Sequence, residues 1–170
     1  MAPVVISPLR PQGVNPFFES VDVSNDTKHV QEYISLTHET AACYQTIIHK
    51  AYCTEQKNIF GFCALRTTYD DVDGVPGMLV EFLYVKPEYR NTQEKTSQVK
   101  YSFLLLDYIV EEAIKIQKLI AINHVYLVPI NDKVRKVYEE YGFENIPGSG
   151  SNEYEDYMVF NLLDEDPTIM

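Results

Sequence analysis

Basic residues are scarce in this sequence. It has 14 Lys and Arg residues against 25 Asp and Glu residues, which gives a formal net charge of −11 at pH 7. A nucleic-acid-binding surface uses Lys and Arg to compete for phosphates, so this balance argues against a nucleic-acid partner. The same negative field attracts cationic substrates such as amines. An anionic, nucleotide-like ligand would need a locally positive region in this otherwise negative protein.

Long apolar runs are also missing. No segment approaches the roughly 18 uncharged apolar residues of a membrane helix, so no membrane contact is predicted. Four prolines interrupt residues 1–16, which therefore lack the apolar stretch of a signal peptide. We expect residues 1–16 to form an extended arm, residues 17–163 to form one domain, and residues 164–170 to be a flexible acidic tail.

Cysteines are few and odd in number: Cys43, Cys53 and Cys63. No nearby His or Cys completes a four-ligand site, so we expect buried free thiols and no metal. Free thiols are typical of a reducing compartment, and we expect a cytoplasmic protein.

The remaining pattern predicts a mixed α/β domain. Segments rich in β-branched, aromatic and other apolar residues predict strands at 17–23, 46–53, 59–69, 78–86, 119–128 and 154–163, with a turn at 70–77 and a loop at 144–152. The strands between residues 46 and 86 are expected to form an antiparallel meander. Since a long helical pattern separates the strands at 78–86 and 119–128, these two are predicted to be parallel.

Three helices are predicted from apolar positions that recur every three or four residues. The first follows a cap at Thr27 or Asn25 and buries Val30, Ile34 and Ala41. The second carries its apolar stripe from Val99 to Ala113. The third runs from Asn131 to Tyr141 and ends at Gly142, because glycine adopts the left-handed conformation found at many helix ends.

Two segments carry a family resemblance: MLVEFLYVKPEYR at 78–90 and NDKVRKVYEEYGFENI at 131–146. In the second, Asn131 and Tyr138 lie about two helical turns apart, on one face. The order of strand, long helix, strand, and a helix with Asn and Tyr before Gly-Phe resembles the GNAT acetyltransferase superfamily. The resemblance covers roughly residues 46–162. It implies a mixed, largely antiparallel sheet with helices on both faces and a central, splayed pair of parallel strands.

The resemblance also implies a cofactor and a reaction. Acetyl-coenzyme A is expected between the splayed strands, where its pantetheine arm would pair with the main chain of Leu83 and Val85. Asn131 matches a common coenzyme A contact. Tyr138 matches the tyrosine that protonates the departing thiolate in many members, which suits a phenol with a pKa of about 10. The alternative is that Tyr138 is a packing residue and that Leu83 and Val85 are ordinary core residues.

Two further residues are candidates for the base. Glu81 is a charge in an apolar strand and shares a face with Leu83 and Val85. A desolvated carboxylate at this position could accept a proton from an amine nucleophile. The alternative is a salt-bridged glutamate. His124 is the weaker candidate.

The chain departs from the family at the pyrophosphate loop, because it has no glycine between Met78 and Tyr141. Aligning Arg90 with the start of that loop leaves about seven extra residues before the helix, which an earlier helix start would absorb. Aligning the helix instead places Lys100 and Ser102 at the glycine positions. Arg90, Lys100 and Ser102 are therefore the expected phosphate contacts, through charge and hydroxyl groups. The alternative is a loop that no longer binds coenzyme A.

The expected function is acetyl transfer from acetyl-coenzyme A to an amine by direct attack. The acceptor would be a small molecule, a polyamine or a protein amine. A catalytically inactive GNAT-fold protein that binds a protein partner is the alternative. A tRNA-acetylating toxin, as some small family members are, is disfavoured by the negative charge. A homodimer is compatible with the sequence.

Overall fold

The computed structural model describes residues 4–55, 57–69, 76–150 and 156–164. These residues form a mixed α/β fold with seven strands in the order β1-β2-β3-β4-β5-β7-β6 and with four α-helices. The strands are β1 Val4–Pro8, β2 Ile47–Cys53, β3 Asn58–Tyr69, β4 Pro76–Val85, β5 His124–Leu127, β6 Glu144–Asn145 and β7 Met158–Asn161. The helices are α1 Val14–Ser20, α2 Lys28–Ala42, α3 Tyr101–Gln117 and α4 Asp132–Tyr141.

The sheet is mostly antiparallel and has one parallel pair. β1–β2, β2–β3, β5–β7 and β6–β7 are antiparallel, whereas β4 and β5 are parallel. The parallel register joins Gly77–Val80 to His124–Leu127. β4 continues to Val85, beyond the last residue that pairs with β5. The predicted fold class and the parallel pairing are confirmed.

The chain forms two compact units. The first contains Met1–Arg66 and Glu81–Leu105, and the second contains Thr67–Val80 and Leu106–Met170. In the first unit the ring of Phe62 contacts Phe17, Phe82 and Tyr84, and Tyr33 of α2 stacks on Phe82. This aromatic cluster buries the faces of α1 and α2 against β3 and β4, and apolar burial of this kind is the main driving force of folding.

A close approach between strands explains Gly61 in the first unit. Ala51 pairs with Gly61 and Tyr52 pairs with Ile59, so Phe60 is an extra residue in a β-bulge. A Cβ atom on Gly61 would lie 2.2 Å from the carbonyl oxygen of Tyr84. Only glycine allows the neighbouring strand backbone to approach so closely.

The second unit is organised around β5, β7 and α4. β7 pairs with β5 and with the two-residue strand β6. Gly142 ends α4 with a φ of 121°, a region that favours glycine, and Phe143 packs against Phe160. The predicted helix from Asn131 to Tyr141 and its glycine stop are confirmed.

The N-terminal predictions need correction. Residues 4–8 of the expected arm form the edge strand β1, and the boundary at residue 16 falls inside α1. The expected strand at 17–23 is wrong, since most of it is helical. Val14 and Phe17 are the buried residues of α1, and their separation of three residues fits a helix. Pro16 is tolerated because it lies in the first turn of α1. A single domain over residues 17–163 stays a prediction.

Three other boundaries differ from expectation. β5 is shorter than residues 119–128, because Leu119 and Ile120 are exposed at a turn. The two-residue strand β6, Glu144–Asn145, takes the place of the first two residues of the expected loop at 144–152. α3 begins at Tyr101, so an earlier helix start is wrong and residues 90–100 form a loop.

Some predictions fall beyond the described residues. Residues 70–75 of the turn expected at 70–77 lie outside the described residues, and so does the tail from residue 165. Cys53 and Cys63 are buried free thiols, whereas Cys43 is exposed and corrects that expectation. In the described part of the chain, no helix is both long and apolar enough to cross a membrane.

Candidate functional site

Beyond Val80, no described strand pairs with the edge of β4 that faces β5, and this part of β4 is here called its open edge. The amide of Lys86 donates to the carbonyl of Phe60 over 2.8 Å, and the carbonyl of Tyr84 lies against Gly61. These two residues therefore direct their main-chain groups toward β3. Because this direction alternates along a strand, the main-chain groups of Leu83 and Val85 point to the opposite edge. That edge is where an extended ligand with amide groups could pair with β4.

Glu81 has an unsatisfied carboxylate oxygen on the same strand. The residue is half-buried, and its Oε2 atom is buried without a hydrogen-bond partner among the described residues. A buried polar atom without a partner costs free energy, so native structures rarely leave one unsatisfied. The arrangement leaves one carboxylate oxygen available to accept a proton or a hydrogen bond.

Arg90, a predicted phosphate contact, is engaged within the protein. Its Nε atom donates to the carbonyl of Val85 over 2.7 Å, and its Nη2 atom pairs with the carboxylate of Asp26. The guanidinium also lies over the ring of Tyr84, 5.6 Å from its centroid. Sequence reasoning did not identify Asp26, because it lies 64 residues from Arg90 in the chain.

Glu94 organises the glycine-free loop before α3. Its carboxylate accepts the amide of Thr96 at 3.0 Å and that of Ser97 at 2.6 Å. Backbone hydrogen bonds, first from Ser97 and then from Thr96, hold the pKa of Glu94 below its ordinary value. Asn91 and Gln98 adopt positive φ angles of 57° and 58°, so they provide turns that glycine often makes.

Lys100 and Ser102 lie at the end of this loop and at the start of α3. The Nζ atom of Lys100 is 5.0 Å from the centroid of the Phe103 ring, and Ser102 is half-buried in the first turn. The N-terminal end of a helix carries partial positive charge, which favours a nearby anion. Both positions are therefore chemically compatible with the predicted phosphate contacts.

The second unit contains Asn131 and Tyr138. The Asn131 side-chain oxygen accepts the amide of Val134 at 3.0 Å and so caps α4. Tyr138 is buried, its ring centroid is 5.9 Å from that of Phe143, and burial raises the pKa of its phenol. No hydrogen bond from its hydroxyl to another described residue is present.

The predicted residues divide between the two units. Glu81, Leu83, Val85, Arg90, Lys100 and Ser102 belong to the first unit, whereas Asn131 and Tyr138 belong to the second. His124, the weaker base candidate, is half-buried on β5 with its Nδ1 atom 3.3 Å from the hydroxyl of Tyr126.

The element order, the parallel β4–β5 pair and the open edge of β4 define the GNAT fold, and this chain has that fold. No protein-family model matches the chain, and no curated protein matches it. Solved structures do match. A crystal structure of AtaTR bound with acetyl-coenzyme A has a TM-score of 0.72 and 11% identity, covering 100% of both chains.

Two further solved structures show the same fold. A tyrosine-to-phenylalanine mutant of KacT has a TM-score of 0.70 and 8% identity, covering 96% of this chain and 97% of KacT. AtaT complexed with acetyl-methionyl-tRNA has a TM-score of 0.67 and 11% identity, covering 98% of this chain and 99% of AtaT. At these identities the similarity is one of fold.

Proposed function

We propose that this chain is an N-acetyltransferase that uses acetyl-coenzyme A and acetylates an amine. The observation that supports it best is the edge of β4 with which no described strand pairs beyond Val80. Strand alternation directs the main-chain groups of Leu83 to this edge, where the carbonyl of Val85 already accepts from Arg90. The pantetheine arm contains two amide groups that could pair with this edge. The fold supports the proposal, since a GNAT-fold structure similar to this chain is bound with acetyl-coenzyme A.

The residues present fit this cofactor in part. The Leu83 main chain suits the arm, and Lys100 and Ser102 supply a cation and a hydroxyl for phosphates near the start of α3. Asn131 is proposed to contact the cofactor through its amide nitrogen, since its oxygen caps α4. Arg90 and the amides that Glu94 occupies are already engaged within the protein. Fewer groups are therefore open to phosphates than the sequence predicts.

The proposed chemistry uses two side chains. Acetyl-coenzyme A, when bound, supplies a thioester whose carbonyl carbon an amine can attack. Glu81 takes the proton that the amine nitrogen loses as the amide bond forms, because its Oε2 atom has no other partner among the described residues. Tyr138 gives a proton to the sulfur as the carbon–sulfur bond breaks. The phenol is protonated at neutral pH, and burial raises its pKa further.

Calorimetry with acetyl-coenzyme A tests the cofactor assignment. Binding should also raise the melting temperature, because a ligand at 100 times its dissociation constant stabilises the folded state by about 2.7 kcal/mol. Leu83→Pro removes one main-chain donor from the open edge and should weaken binding. A second proline variant at an exposed leucine, Leu36→Pro, does not serve as the control because it would break α2. The matched control is Leu163→Ala at an exposed site. No binding at millimolar concentration would favour the catalytically inactive alternative.

A tRNA-linked amine is the second candidate acceptor. AtaT, which shares the fold, is complexed with acetyl-methionyl-tRNA. The net charge of −11 favours a free cationic amine instead. Acetyl transfer should therefore be measured side by side with a polyamine, a lysine-containing peptide and a methionyl-tRNA. Transfer to the tRNA alone would replace the free-amine proposal and leave the acetyltransferase assignment intact.

A further inference from the structure

A cluster of charged and polar groups, in which the Asp26 side chain is buried and the Arg90 side chain is 40% exposed, joins three segments of the first unit. The Asp26 side chain is fully buried just ahead of α2, and its two oxygens are engaged separately. Oδ2 accepts the hydroxyl of Tyr84 at 2.6 Å, and Oδ1 pairs with Nη2 of Arg90. Arg90 in turn donates from Nε to the carbonyl of Val85, the last residue of β4. The guanidinium of Arg90 therefore links the segment before α2 to the C-terminal end of β4.

The position of Asp26 is itself held by backbone contacts. Its amide donates to the carbonyl of Val23 at 3.0 Å. The side chain of Gln31 donates to the carbonyls of both Val23 and Asp26, at 3.1 and 3.0 Å. A carboxylate fixed in this way provides a rigid anchor, since a buried charge is tolerated only when its partners are well placed.

This geometry gives Arg90 a role that differs from phosphate binding. A guanidinium presents its N–H groups in a planar fork, and here two arms of the fork are used by Asp26 and Val85. The positive charge of Arg90 is balanced by a buried carboxylate. The cluster also orients the Val85 carbonyl, which belongs to the edge of β4 that points away from β3.

We propose that Asp26 and Arg90 are positioning residues that hold the open end of β4 in the geometry required by the acyl-pantetheine arm, and that Arg90 is not a phosphate ligand. The inference rests on the proposed function, because it concerns binding of the same cofactor. It predicts that replacing Arg90 weakens binding of the pantetheine arm, whether or not the ligand carries phosphates.

Acetylpantetheine separates the two roles of Arg90, because it has the thioester and the arm but no coenzyme A phosphates. Its affinity and that of acetyl-coenzyme A are measured by calorimetry for Arg90→Gln and Asp26→Asn. We expect each variant to lose affinity for both ligands by the same factor, roughly tenfold, since a charge-assisted hydrogen bond is removed. Asp26→Asn keeps the shape of the side chain and is the milder variant if Arg90→Gln does not fold.

Arg90→Lys provides a further discrimination. Lysine retains the charge but cannot donate from two arms of a planar fork, so we expect it to behave like Arg90→Gln. The matched control is Lys28→Gln, which removes one charge from a residue whose side chain is 91% exposed in a surface pair with Glu32. It should leave both affinities unchanged. Thermal unfolding without ligand confirms that each variant is folded.

The outcomes separate this inference from the proposed function. A loss confined to acetyl-coenzyme A, or recovery in Arg90→Lys, would identify Arg90 as a phosphate contact and overturn the inference alone. Unchanged affinities in Arg90→Gln would overturn it as well. If the unmodified protein binds neither ligand, the proposed function fails and this inference fails with it.

Discussion

Two tyrosines show how differently the same side chain can be used. Tyr138 is buried on α4 without a hydrogen bond from its hydroxyl to the described residues, whereas the Tyr84 hydroxyl donates to Asp26. Burial raises the pKa of both phenols, and the hydrogen bond to Asp26 raises that of Tyr84 further. Tyr84 is therefore a structural donor, whereas the hydroxyl of Tyr138 has no hydrogen-bond partner among the described residues.

Tyr138→Phe is expected to lower kcat for acetyl transfer by about 100- to 10,000-fold, the usual range for a general acid. The ring remains, so acetyl-coenzyme A affinity should change little. Steady-state kinetics with saturating acetyl-coenzyme A measures the first quantity and calorimetry the second. Tyr141→Phe, on the same helix, is the matched control. Full turnover in Tyr138→Phe would mean that water or another group protonates the sulfur.

Tyr84→Phe is expected to reduce the free energy of unfolding by about 2 kcal/mol, because Asp26 loses a donor inside the protein. Urea denaturation at pH 7 measures the change. Tyr44→Phe is the control, since Tyr44 is 72% exposed and should have no measurable effect. Equal stability of Tyr84→Phe and the unmodified protein would show that the hydrogen bond to Asp26 contributes nothing.

At the scale of elements, the loop between β4 and α3 contains no glycine, and the side chain of Glu94 organises it. Glu94 accepts amides of Thr96 and Ser97, and its own amide donates to the carbonyl of Val99 at 2.8 Å. A carboxylate can accept from several backbone donors at once, so the side chain of Glu94 closes the loop. The start of α3 is consequently held in place by the protein itself.

This loop should make stability depend on pH. The pKa of Glu94 is lowered from 4.5 in the folded state, so its carboxylate stabilises the fold above pH 4.5. That contribution is lost as pH falls through the lowered pKa. We expect Glu94→Gln to have a lower Tm than the unmodified protein at pH 7 and a difference that shrinks below pH 4.5. Glu88→Gln, at an exposed position, is the control. A pH-independent difference would contradict the assignment.

At the scale of the whole molecule, charge separates the candidate acceptors. A net charge of −11 produces a field that raises the local concentration of cations, and salt screens this field. We expect kcat/KM for a tetra-amine to fall about tenfold between low salt and about 0.3 M salt. A monoamine should show a much smaller decrease. Equal salt dependence of the two amines would mean that the overall field does not select the acceptor.

Local sequence patterns predicted the structure correctly where it depends on residues within a single element. Thr27 caps α2 by accepting the amide of Val30, and Asn131 and Gly142 bound α4. The parallel pairing of β4 and β5 also followed from the sequence, because a long crossover helix separates them. Side-chain periodicity failed at residues 17–23, where a short apolar segment fits a helix and a strand almost equally well.

The sequence by itself determined the GNAT-like order of elements, the acidic charge, and the absence of glycine between Met78 and Tyr141. Only the tertiary structure decided how the loop before α3 forms without glycine and which groups Arg90 contacts. Glu94 turns back on the loop that contains it, and Asp26 reaches Arg90 across 64 residues of chain. The physical reason is that periodicity and capping act over a few residues, whereas a buried carboxylate takes whichever donors the fold brings to it.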